Sequence, residues 1–356
     1  MSEVNVSLCV IGQEFAHNLY YKILLYARLP VCVLGIALCG SLLFTKLNSV
    51  IFHVHARILL KAHIAITLLL SIHYIGISIL ELVRYHTPHD DPCGYLIPRW
   101  LTFTPHYITC NLVTLQACSC LLIIVERLVC TSQIKTYEHC RRKGLVYFCL
   151  LSTAALVFLL TYLLIGFTAE WKTKTYQLSF FDDSNYLWGT ALVAISFCLE
   201  LITVILCKLV DVINVKAKHR LFSEMGGLKN NFSDSQLSSK LQVRESIRLS
   251  ETLMPIITVH FVLYSLSTLV IAATIVLFTE DLITQDLIAE WISLFPLYGV
   301  IMPVMFLRRH PSLLGRFVDR RPAAIFVKTG RVMPEKENAF DDHFRRFDRL
   351  LQSRLP

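Results

Sequence analysis

Charge is scarce in this 356-residue sequence: Asp, Glu, Lys and Arg make up 17% of it, against 54% apolar residues. Soluble domains average roughly 25% charged residues. So little charge cannot furnish a water-facing surface, which excludes an ordinary cytosolic enzyme, and the apolar excess excludes a disordered chain. No Gly-rich phosphate loop and no Gly-x-Ser-x-Gly of a membrane protease is present. Residues 1–22 lack an apolar core ending in small residues, so no cleavable leader is expected. No repeat, inverted or parallel, is found, which weighs against a transporter. Cysteine is not scarce, at 12. Most of it (Cys32, Cys39, Cys110, Cys118, Cys120, Cys149, Cys198, Cys207) lies inside apolar runs, where a thiol behaves as a small hydrophobe, so a small disulfide scaffold is excluded too.

What the chain has in quantity is uninterrupted apolar length, with a mean hydropathy of +0.55. A bilayer core of about 30 Å takes roughly 20 helical residues. Seven stretches reach that length, at 24–45, 58–83, 101–125, 145–167, 187–208, 252–278 and 287–307. The second is interrupted by Lys61, His63, His73 and Glu81; the seventh is short and carries Glu290, Pro296 and Pro303. Prolines are tolerated where neighbouring helices satisfy the freed carbonyls. The expected fold is an all-α membrane protein, a seven-transmembrane bundle over 23–307 with a short segment at 1–22 and a tail at 308–356.

Lys and Arg fall very unevenly between the runs. Twenty-seven lie after the first, third and fifth runs or in the tail, and five (Lys22, Arg84, Arg99, Lys172, Lys174) on the opposite side. The positive-inside rule then places the N-terminus outside and the C-terminus in the cytoplasm. The net charge of +8 is thus a topology signal rather than a nucleic-acid footprint, and the expected surroundings are a lipid bilayer. Asn5-Val6-Ser7 is a glycosylation acceptor on the outer side. Residues 209–251 read as a long inner loop with a polar centre from Gly226 to Ser239. In the tail, Leu313, Leu314, Phe317 and Val318 recur at helical spacing after Pro311 with Arg316, Arg320 and Arg321 among them, the pattern of a short amphipathic eighth helix on the inner leaflet. A second such run follows at Phe340, Phe344 and Phe347.

Glu126-Arg127 closes the third run on the basic side. It resembles the acidic-Arg pair that ends the third helix of G-protein-coupled receptors, where the arginine pairs locally at rest and is released toward a G protein. A snorkelling boundary arginine is the bland alternative. Glu245 and Glu251, near the start of the sixth run, are candidate partners for Arg127 or else solvated loop charges.

Further strings narrow the likeness: Phe52-His53-Val54-His55 with Lys61-Ala62-His63; Asp91-Pro92-Cys93; Glu126-Arg127 with Thr131 and Tyr137-Glu138; and Leu237 to Ser246 leading into the sixth run. Over roughly residues 9–320 the chain resembles the nematode serpentine chemoreceptors of the alpha superfamily (Sra), and is most similar to their alpha-beta class (Srab). It departs from the usual pattern at Leu241 (Tyr), Ser246 (Asn) and Cys130 (a small residue such as Ala). The resemblance implies a G-protein-coupled chemosensory receptor, in the plasma membrane of sensory cilia, with a small-molecule ligand and a heterotrimeric G protein as partners and no cofactor.

In many seven-helix receptors a cysteine at the outer end of the third helix bonds one in the second outer loop, but residues 168–186 contain none. Cys9 is the other cysteine on the outer side, so Cys9–Cys93 is the natural bridge, with unpaired thiols or Cys93–Cys110 as alternatives. Polar residues of the outer half are candidate ligand contacts: His73, Tyr74, His106, Tyr107, Asn111, Trp188, Tyr264, Thr268, Glu290 and Trp291. Taken singly, each reads as an interhelical hydrogen bond; as a set they suit a pocket for a small organic molecule. Lys61 and Glu200 lie deeper and read as structural or switching elements. No catalytic set emerges. The histidines lie at different depths, which argues against a metal site, and residues 287–307 hold no lysine for a retinal Schiff base. A seven-helix channel of the insect odorant-receptor kind has its N-terminus inside, against the charge count. A peptide or neuromodulator receptor of the same architecture, a channel or a transporter are the alternative functions.

Overall fold

The computed structural model describes residues 3–44, 53–132, 143–167, 169, 171, 174–175, 186–225, 234–277 and 282–310. The chain divides into two units, 1–311 and 312–356. The second, with the expected amphipathic eighth helix, lies outside the described residues.

Apolar sequence of this length has few options in lipid, because every backbone N–H and C=O must be paired within the chain, and helices do that locally. The helices are α1 (Glu3–His17), α2 (Leu19–Phe44), α3 (Val54–His86), α4 (Arg99–Ser132), α5 (Lys143–Thr161), α6 (Tyr186–Met225), α7 (Asp234–Leu277), α8 (Leu282–Ile292) and α9 (Phe295–Arg309). A π turn at Tyr162–Gly166 prolongs α5. Among the described residues, seven segments are long and apolar enough to cross a membrane: α2, α3, α4, α5 with its π turn, the middle of α6, most of α7, and Leu287–Arg309 across α8 and α9. Large apolar side chains stay exposed around the outside, such as Leu151, Leu156 and Leu163 on the fifth helix and its π turn, and Ile202, Ile205 and Leu209 on α6. That surface suits hydrocarbon and not water. The protein is a multi-pass membrane protein.

One end of the bundle is marked by a disulfide between Cys9 of α1 and Cys93, which sits in a 3-10 turn at Pro92–Tyr95. This disposes of the Cys93–Cys110 alternative; Cys110 is a free thiol. At this bridge end α1 packs on the bundle through Phe15 and Ala16, against Tyr21, Leu24 and Leu25 of α2, Leu82 and Tyr85 of α3, and Tyr95. Ile97–Pro98 pairs antiparallel with Lys174–Thr175 at the same end.

The buried residues of α2 (Tyr21, Leu24, Leu25, Arg28, Cys32, Gly35, Cys39, Leu42) fall on one stripe of the helix. Its centre touches α3 and α9 through small residues. A Cβ on Gly299 would sit 2.8 Å from Ser71 Oγ, and one on Gly35 3.4 Å from the Gly299 carbonyl carbon. Small residues let helix backbones approach in lipid, where no hydrophobic force draws them together.

One expectation is corrected. Residues 209–251 are not a long irregular loop, because α6 continues to Met225 and α7 begins at Asp234. Hydropathy marks where lipid ends, whereas the helix formers Leu, Lys, Arg and Glu carry the helices on into water. The seventh span is present and consists of two helices. It breaks at Ser293-Leu294, because the ring of Pro296 has no N–H and collides with the carbonyl four residues back, at Ile292 where α8 ends.

Candidate functional site

Buried polar side chains form three tiers along the bundle. The first, toward the bridge end, centres on Arg28 of α2. Its side chain is 5% exposed, and Nη2 donates to Glu290 Oε2 of α8 at 2.7 Å and to the Glu290 carbonyl at 3.3 Å. The guanidinium lies 5.3 Å from the ring centre of Tyr74 in α3, a cation–π contact. The Tyr74 hydroxyl is 3.3 Å from Ser293 Oγ at the helix break. His106 of α4 is within electrostatic reach of Arg28 and Glu290, as are Tyr21 and, through Glu290, Glu81. Glu81 is fully buried and pairs with Arg84 one turn on, which also contacts Tyr85.

The second tier is at mid-bundle. Gln116 of α4 donates to Thr67 of α3 at 2.8 Å, and its Oε1 lies 3.3 Å from His260 Nε2 of α7. His260 Nδ1 is 2.7 Å from the carboxylate of Glu200 in α6, and all four side chains are buried. Beside them His63 of α3 is 2.7 Å from Ser119 Oγ through Nδ1 and 2.7 Å from the Tyr298 hydroxyl of α9 through Nε2. Ser119 donates to the Gln116 carbonyl, so its oxygen accepts from Nδ1–H and Nε2 accepts from the Tyr298 hydroxyl. Five helices thus meet through hydrogen-bonding side chains with no lipid contact.

The third tier is at the far end. Arg127 is wholly buried, and its Nε and Nη2 donate to the carboxylate of Glu126. One turn on, Thr131 donates to Asn214 Oδ1 of α6 at 3.1 Å, and Asn214 Nδ2 donates to Ser250 Oγ of α7 at 3.0 Å. This clasp joins the third, fifth and sixth spans. Beside it Thr252 of α7 lies 3.3 Å from His310 Nε2 at the end of α9.

A family model for the serpentine type 7TM GPCR receptor class ab chemoreceptors matches residues 7–319. The chain belongs to that family. No curated protein matches it. The family is one of chemoreceptors and not of enzymes.

In this class ab receptor the expected ligand residues fall into several places. Tyr74 and Glu290 come together at Arg28. His73 donates to the Pro105 carbonyl at 2.8 Å and lies 3.1 Å from Thr109 Oγ1, tying α3 to α4. Tyr107 donates to the Phe158 carbonyl of α5, and Asn111 to the Tyr107 carbonyl of its own helix. Tyr264 packs in an apolar cluster with Cys32, Leu70, Tyr74, Leu112 and Val113. Thr268 is half-buried and Trp291 exposed. The side chains of Trp188, Glu245 and Asn5 lie outside the described residues; Asn5 falls within α1. Glu251 is exposed and has no ion pair with Arg127 among the described residues. Arg28, Gln116, His260, Tyr298, Asn214 and Ser250 were not anticipated. For Arg28 a signal existed: it is the one arginine inside the first apolar run, where an ionisable residue needs a partner.

Proposed function

We propose that this receptor is a G-protein-coupled chemosensory receptor of the plasma membrane. It takes a small organic molecule at the bridge-end tier and signals to a heterotrimeric G protein through the far ends of α4, α6 and α7. The observation that carries this reading is Arg127, buried and clamped by Glu126 one turn from the Thr131–Asn214–Ser250 clasp. Neutral hydrogen bonds of this kind are worth about 1 kcal/mol each, few enough for a ligand to overturn. An agonist with higher affinity for the unclasped arrangement shifts the population toward it and frees Arg127 for the partner.

The bridge end faces outward in this reading. A disulfide persists in an oxidising compartment, and the basic residues crowd the opposite side. Asn5 then carries a glycan. Family membership supports a sensory cilium and a role in olfaction and chemotaxis.

The test is G-protein activation by Arg127→Ala and Arg127→Lys at matched surface level, with an epitope tag before Met1 and another after Pro356. Both variants are expected to reach the surface and lose activation, since the guanidinium offers a fixed donor fork that an ammonium lacks. The first tag is expected to be reachable on intact cells and the second not. Full signalling by Arg127→Ala, or the opposite tag pattern, overturns the reading.

A further inference from the structure

The Arg28–Glu290 pair is poorly explained as a fastener between the first and seventh spans. Those spans are already joined by the Gly35–Ser71–Gly299 contact and by the Cys39 thiol, whose Sγ lies 3.4 Å from the Gly299 carbonyl oxygen. A buried ion pair is often no more stabilising than apolar residues of the same volume, and removing one partner strands the other. Ionisable groups inside membrane spans are costly and mark functional sites by default.

The two partners are held differently. Arg28 lies inside the long helix α2, over the Tyr74 ring and 5% exposed, whereas Glu290 is 23% exposed and sits in the last turn of α8, three residues before the helix break. The pair is also end-on: a single nitrogen, Nη2, makes both hydrogen bonds, and the forked geometry that an arginine offers a carboxylate is not used. Glu290 is therefore the less enclosed partner of the two, and the guanidinium the more tightly held one. A cationic ligand would have to draw Glu290 off and leave Arg28 charged and alone inside the bundle. An anionic one replaces its partner.

We propose that Arg28 is the anion-binding residue of the ligand site, and that the ligand is a small organic acid whose carboxylate takes the place of Glu290 at the Arg28 guanidinium. This rests on the receptor reading above. Toward mid-bundle the neighbours are Cys32, Tyr74, Leu112 and, packed against them, Ile108 and Phe295, so a single carboxylate on an apolar body fits better than a polyanion. The cluster also explains how occupancy is felt elsewhere. The ionic groups around Arg28 are two arginines and two glutamates (Arg28, Arg84, Glu81, Glu290) beside His106, so an added carboxylate puts negative charge in excess and drives Glu290 outward. The Glu290 carbonyl, which accepts from Arg28, also accepts from Ser293 N at 3.3 Å at the break leading to α9 and Tyr298.

The test uses the full-length receptor in lipid nanodiscs, with straight-chain monocarboxylic acids and their methyl esters as probes. Thermal stabilisation reports binding, and nucleotide exchange on an added G protein reports signalling. The acids are expected to bind about 10- to 100-fold more tightly than their esters, the range of a charged hydrogen bond. Arg28→Gln is expected to abolish that preference. Glu290→Gln, which removes the internal competitor, is expected to enlarge it. Should either single variant fail to fold, the neutral pair Arg28→Met with Glu290→Met leaves no charge stranded and is expected to bind acid and ester alike. Equal binding of acids and esters by the wild type, or an acid preference that survives the neutral pair, overturns the inference. Exchange driven by the esters without acid preference overturns it while leaving the receptor reading standing. Acid binding without any exchange supports the anion site and removes the G-protein reading.

Discussion

The phenol of Tyr298 meets Nε2 of His63 at 2.7 Å, joining the seventh span to the second at a depth where neither group has water. Tyr298→Phe keeps the ring and removes the one donor that Nε2 faces. Leaving a buried acceptor unmade costs about 1–3 kcal/mol. The melting temperature in detergent or nanodiscs is expected to fall, and His63→Phe in the same background to add little further loss. Two independent, additive losses would show that the two groups do not act as a pair.

The contact of α2, α3 and α9 is limited by Ser71. Gly299→Ala places a methyl 2.8 Å from Ser71 Oγ, so the variant is expected to lose about 1–3 kcal/mol through overpacking. The next nearest atom, the Gly35 Cα, is 3.9 Å away, so Ser71→Ala in the same chain is expected to restore most of the loss. A thermal-melt cycle of the four proteins without such rescue would locate the strain elsewhere.

For the bridge, Cys9→Ser and Cys93→Ser are expected to lower the folded yield equally, and the double variant to be no worse than either. Loss of a native extracellular disulfide costs about 2–5 kcal/mol. Surface staining of cells expressing each variant measures it, and additive losses would count against the pair acting as one link in cells.

At the far end, Asn214→Ala cuts the clasp while leaving the Thr131 hydroxyl its other acceptor, the Arg127 carbonyl at 2.9 Å. The variant is expected to fold normally and to raise ligand-independent G-protein exchange several-fold, since about 1–2 kcal/mol of clasp is worth a factor of roughly 5–30 in a two-state equilibrium. Unchanged basal exchange at equal surface level would mean that Asn214 does not hold the resting arrangement.

The seven spans were legible because lipid requires long apolar runs, and the departures have physical causes. A helix that is apolar on every side carries no moment to tell which face looks inward. His73, Tyr107 and Trp291 were therefore grouped by depth alone, and their rotation turned them to α4, to α5 and to the outside. Arg28 stands out as the one arginine of the first run, but its partner is 262 residues away in sequence. His260 and Gln116 show as ordinary polar residues until four helices bring them beside Glu200 and Thr67. The break before Pro296 was signalled by the proline itself, but its position at Ser293 depends on the hydroxyl contacts of Tyr74 and Ser267.

Pro255 lies 21 residues from the start of α7, and at 1.5 Å per residue that arm is about 32 Å long. The apolar span begins only at Leu249, so most of the arm extends beyond it. A bend of about 10° at the proline, a common place for a kink, sweeps the tip near Asp234 through about 5 Å, whereas the same bend moves Ser250, one turn from the pivot, by little over 1 Å. Geometry alone multiplies the displacement about fourfold, so a movement just sufficient to part Ser250 from Asn214 becomes a large stroke at the end that a partner protein would grip.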